Sequence, residues 1–90
     1  MAMSENTVTV FKYLQAHNDG LTAQEIADAT GLNAKQVNGA FTMGIQRKGY
    51  GNRSEEKVKV ELEDGTAIEA KQLFLNDAGL GVDVDALAAE

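Results

Sequence analysis

The chain has 90 residues, 43% of them hydrophobic and 24% charged, with no cysteine and a formal net charge of -6. Those values suit one small globular domain and exclude wholesale disorder, a disulfide framework and indiscriminate binding to polyanions. No apolar run approaches the roughly 18 residues of a membrane span, and the opening MAMSENTVTV has neither the basic nor the apolar part of a signal peptide, so a cytoplasmic location without a membrane partner is expected.

The first element is SENTVTVFKYLQAH, with Ser4 or Thr7 as its cap and a helical stripe of Val10 and Leu14, joined by Phe11 and Tyr13. The β-branched run Thr7–Val10 pulls the same residues toward a strand, which leaves the start open. Asn18, Asp19 and Gly20 then stop the element. The second helix, TAQEIADAT, is better marked. Thr22 precedes Glu25 at capping-box spacing, Leu21 and Ile26 match a hydrophobic staple, and Gly31 suits a left-handed end. Two turns of helix are unstable alone in water, so this one must dock on neighbours.

The third helix, residues 33–48, opens with Asn33 and Gln36 as a second box. At 100° per residue, Val37, Ala40, Phe41, Gly44, Ile45 and Lys48 share an inner side. Lys35, Gly39, Thr42 and Gln46 lie opposite, flanked by Gln36 and Asn38. From Leu32 to Ser54 the chain holds Lys35, Arg47, Lys48 and Arg53 and no acid, while the rest of the sequence carries the other four bases and all 14 acids.

Beyond the glycines of KGYGNRS, Val58, Val60 and Leu62 alternate with charged residues as a half-buried strand. Two hairpin registers compete at Glu63-Asp64-Gly65. A two-residue turn pairs Leu62 with Ala67. A three-residue loop with Gly65 left-handed pairs Leu62 with Thr66, Val60 with Ile68 and Val58 with Ala70, which keeps apolar residues on one face and is preferred. Leu73 and Leu75 are out of phase with Ile68, so a bulge near Lys71-Gln72 is expected to return them to the core. These elements make residues 1–80 one domain and residues 81–90 an acidic tail, a short packed turn fading into a mobile end.

Ala27, Gly31, Leu32 and Val37 supply the small crossing residue, turn glycine, plug and anchor of a helix-turn-helix. The stretch LTAQEIADATGLNAKQVNGAFTMGIQRKGY resembles the reader segment of small winged helix-turn-helix regulators of the MarR type, and KQLFLNDAG resembles the LxLTxxG stretch that closes their wing. The likeness covers roughly residues 5 to 80. It implies an α+β winged helix: a three-helix core followed by a two- or three-stranded antiparallel wing, with the third helix in the DNA major groove. Carried over by position, Lys35, Gln36, Asn38, Thr42 and Gln46 become base-edge residues, and Thr22 and Gln24 face phosphate. The chemistry agrees. Asn and Gln can bond adenine N6 and N7, Lys can reach guanine O6 and N7, and a Thr methyl suits thymine. Arg47, Lys48 and Arg53 then hold the phosphate backbone.

Two features depart from the pattern. The hairpin tip Glu63-Asp64-Gly65-Thr66 is acidic where wings carry Arg or Lys, and the chain has no room for long dimerisation helices, although a homodimer through the first helix or the tail stays open. Neither a catalytic set, a metal cluster nor a cofactor motif emerges, so no enzyme, metal or cofactor is expected. His17 reads as a helix-end residue, and Asp83 with Asp85 as tail acids. A sequence-specific double-stranded DNA-binding regulator is therefore the leading expectation. Its rivals are a winged-helix protein-interaction module using the acidic wing and a DNA-mimicking inhibitor.

Overall fold

The computed structural model describes residues 3–62 and 64–89; Glu63 of the expected acidic tip lies outside them. Helix α1 spans Glu5–Ala16, with Ser4 as N-cap accepting the Thr7 amide. The helical alternative therefore wins over the strand. Helix packing decides it: Thr7, Val10, Phe11 and Leu14 share one buried face.

Strand β1 is the two residues Leu21–Thr22, followed directly by α2 at Ala23–Thr30 and α3 at Ala34–Phe41. Both expected capping boxes form, at Thr22 with Glu25 and at Asn33 with Gln36. Gly31 ends α2 at φ +82°, a left-handed conformation that a Cβ disfavours. Ala27 and Val37 both belong to the buried core, and Leu32 packs against that core.

Past Phe41 the third helix departs from regular α geometry. Thr42–Gln46 widens into a π turn. Gly44 lies inside it against α1, where an added Cβ would stand 2.2 Å from Thr7 Cγ2. The helix expected over 33–48 is thus eight α-helical residues and a π extension of five.

Strands β2 (Gly51–Glu61) and β3 (Ala67–Leu75) form the hairpin, and the sheet order is β1-β3-β2, all antiparallel. Val58 pairs with Ala70 and Val60 with Ile68, while the Leu62 amide donates to Thr66 O; the preferred register is the one adopted. Gly65 has φ +87°. The expected bulge in β3 is not formed. The irregularity lies on β2, where the four steps from Arg53 to Lys57 face the two from Leu73 to Lys71. Ser54 bridges it, accepting the Gln72 amide and donating to Glu56 O. β3 keeps its alternation: Leu73 and Leu75 enter the core, and Ile68 stays 41% exposed.

Two short helices close the described chain, α4 at Asp77–Gly81 and α5 at Val84–Ala88. Gln15 of α1 ties the first of them down, donating to Gly79 O and Val82 O. The segment expected as a tail from residue 81 contributes Val84 to the core, and Lys12 and Asp85 form a surface ion pair at 2.6 Å. Exposed pairs of this kind add little stability. One apolar centre unites the three long helices, the base of the hairpin and Val84.

Candidate nucleic-acid interface

Helix α3 buries Val37, Ala40 and Phe41, and the π turn buries Ile45. This fixes what turns outward. Lys35, Gln36, Asn38, Gly39, Met43, Arg47 and Lys48 are exposed, and Thr42 and Gln46 are half-buried. Lys48, assigned to the inner side at ideal helical spacing, lies outside because the π turn has rotated the chain by then. Arg47 reaches back to Met43 Sδ at 3.2 Å. Among the described residues the only salt bridge is Lys12 with Asp85, so Lys35, Arg47 and Lys48 enter none.

Arg53 is not placed as a backbone-contacting residue should be. Gly51 begins β2 hard against the third helix: a Cβ there would lie 2.4 Å from Phe74 O and 3.0 Å from Ile45 Cγ2. Two residues on, the same strand face carries Arg53. Its guanidinium carbon sits 5.0 Å from the Phe41 ring centroid, a cation–π distance. Nη2 donates to Thr42 Oγ1 at 3.0 Å and Asn38 Oδ1 at 3.2 Å, and Nη1 donates to Gln46 Oε1. Burial lowers the guanidinium pKa from its ordinary value, and the group stays charged at neutral pH. Arg53, expected at the phosphate backbone, has its terminal nitrogens bonded to the third helix.

The π turn helps to assemble this row. In an α-helix each fourth residue falls about 40° ahead of its predecessor. A π turn holds more residues, so the fourth falls back. Asn38, Thr42 and Gln46 straddle the change, and all three meet one guanidinium. In the sequence the π turn leaves one signal, Gly44 on the inner side of the helix, and the inward turn of Arg53 leaves none.

The start of α2, expected to face phosphate, has its polar side chains engaged within the protein. Thr22 is fully buried, and its hydroxyl serves the capping box with Glu25. It offers nothing to phosphate. Gln24 is half-buried, donates to Asp28 at 3.0 Å, and lines a cleft with Asp28, Glu61, Leu62 and Asp64. Three carboxylates there oppose an anion. Asp64 accepts from the Thr66 hydroxyl and amide, which hold its carboxyl below the usual range.

His17 caps α1 through its amide, and its ring packs on Tyr13 with centroids 4.6 Å apart. Among the described residues no cluster of His, Cys, Asp or Glu is arranged to hold a metal, and no helix is long and apolar enough to cross a membrane.

No family profile matches the chain, and no curated protein does. Among solved structures, the chain is similar to MepR, described as a transcription regulator of the Staphylococcus aureus multidrug efflux pump MepA. The TM-score is 0.59 at 22% sequence identity, over 97% of this chain and 56% of that one. The chain thus spans little more than half of the MepR chain. At this identity the likeness establishes architecture, and it agrees with the MarR-type resemblance drawn from the residues: the chain folds as a winged helix.

Proposed function

We propose that the chain is a small sequence-specific binder of double-stranded DNA, acting as a transcriptional regulator in the cytoplasm. The carrying observation is the outward face of the third helix. Lys35, Gln36, Asn38, Arg47 and Lys48 stand exposed on a stretch free of carboxylates in a chain of net charge -6. Screening acts over about 8 Å at physiological salt, so such a face can meet phosphate although the molecule is acidic overall. MepR, a protein of the same architecture, is a transcription regulator.

In this reading the third helix, α3 with its π extension, enters the major groove. Lys35, Gln36, Asn38, Thr42 and Gln46 meet base edges, Arg47 and Lys48 meet phosphate, and Arg53 braces the reading row from behind. The acids Asp28, Glu61 and Asp64 gather on the α2 side with Gln24, so the wing tip adds repulsion rather than a grip and binding rests on residues 35–48. The test is titration of the chain with random-sequence duplex across a salt series, followed by amide NMR. Affinity should fall steeply with salt, and the amides of residues 34–48 should shift. Lys35→Ala combined with Gln46→Ala should abolish site preference and leave part of the weak binding. Amides of the third helix that ignore every duplex would refute the proposal.

A further inference from the structure

The side-chain oxygens on the reading face are already engaged. Gln36 Oε1 accepts the Asn33 amide at 2.9 Å, as its half of the capping box. Asn38 Oδ1, Thr42 Oγ1 and Gln46 Oε1 all accept from Arg53. Each of these oxygens keeps a second lone pair but is turned toward Arg53 or the helix cap; the groups with no partner among the described residues are the NH2 groups of Gln36, Asn38 and Gln46, the Thr42 hydroxyl proton and the Lys35 ammonium. The face offers donors.

Base edges differ in what they want from such a face. Guanine presents two acceptors, N7 and O6, in the major groove. Adenine pairs an acceptor at N7 with a donor at N6. Thymine presents an acceptor at O4, and cytosine a donor at N4. The bidentate bond of Asn or Gln to adenine needs the side-chain oxygen aligned with N6, and here the helix cap and Arg53 fix those oxygens toward the Asn33 amide and the wing base instead.

Resting on the DNA-binding reading, we infer that Arg53 is a specificity-setting positioning residue: by engaging the oxygens of Asn38, Thr42 and Gln46, it makes the third helix select acceptor-bearing edges, guanine foremost, over adenine and cytosine. Its place on β2, above Phe41 and beside Gly51, makes this selectivity a property of the wing base rather than of the helix alone. Removing the guanidinium frees the oxygens and restores the adenine-reading chemistry of Asn and Gln.

The experiment is selection from a random duplex library with the full chain, then titration of the enriched duplex carrying single base analogues. At contacted purines, 7-deazaguanine in place of guanine should weaken binding about fivefold or more, the scale of a lost base contact. Purine in place of adenine, which removes N6, should change nothing. Arg53→Met should lower the guanine-over-adenine preference about fivefold or more, and Arg53→Lys, with one donor group, should fall between. In the free protein, the side-chain NH2 resonances of Asn38 and Gln46 should move on Arg53→Lys, a readout that needs no DNA. Enriched sites whose adenine N6 is required, an unchanged preference in the Arg53 variants, or unmoved NH2 resonances would overturn the inference and leave the DNA reading standing. A library from which nothing is enriched would overturn both.

Discussion

Helices α2 and α3 are built alike and placed differently. Each has eight residues, each opens with a capping box, and each buries three residues in the same core. Around α2 the box is shut away, with Thr22 fully buried, and the outer side meets Asp28, Glu61 and Asp64. The box of α3 is exposed, and its outer side carries amides and cations without an acid. The same local grammar therefore yields a supporting helix and a presenting one. The difference comes from what the hairpin lays beside each: its acidic outer end near α2, and its base, with Arg53, against α3.

The largest expected effect ranks what each helix gives to the shared core. Phe41→Ala removes a fully buried ring that also lies under Arg53, and should destabilise the fold by about 3–5 kcal/mol. Ile26→Ala on α2 removes less volume and should cost about 2–4 kcal/mol. Urea midpoints at unchanged slope measure both, and a milder effect at Phe41 than at Ile26 would contradict the ranking. Next comes charge. Lys35→Glu should weaken duplex binding about tenfold or more and flatten its salt dependence, whereas Asp28→Asn should leave binding nearly unchanged. Equal responses in a titration would erase the proposed division between the two helices.

Smaller effects sharpen it. Thr22→Ala should cost about 1–2 kcal/mol, since it removes a fully buried cap and leaves the part-buried Glu25 amide without its acceptor, and Asn33→Ala about 0.5–1 kcal/mol, because water can replace an exposed cap. Thermal unfolding would show the order. The smallest effect concerns Asp64. Its folded carboxyl is held below the ordinary value by Thr66. The contribution is thus present above the unfolded pKa of about 3.9 and is lost as pH falls through the lower folded value. The stability gap between the native protein and Asp64→Asn should close in that acid window and stay constant above it.

Much of this frame is legible in the residues because its signals are local. Thr22 with Glu25, Asn33 with Gln36, and Gly31 at the helix end need only neighbours three to eight positions away. The hairpin register follows from keeping Val58 and Val60 on one face opposite a glycine turn. What escapes the sequence is set by distant partners. β1 exists because β3 comes alongside it, and the bulge sits on β2 because Ser54 bridges there to Gln72. The π turn answers to Thr7, 37 positions before Gly44. Within the candidate site the exposed cations were legible, but the inward turn of Arg53 was not, because a guanidinium beside a basic helix reads as one more cation until the Phe41 ring and the three oxygens are placed under it.

Among the described residues no strand pairs with the outer margin of β2, and β1 covers only Gln72 and Leu73 of the opposite side. Unpaired peptide groups of that length invite another chain to zip on. Here Glu55, Glu56, Lys57, Lys59 and Glu61 are all exposed along the margin, and the kink at Ser54 interrupts its straightness. A second strand laid there would have to bring such charges together and follow a bend. Charges and a bend along an edge strand thereby disfavour the stacking of neighbouring molecules into a continuous ribbon.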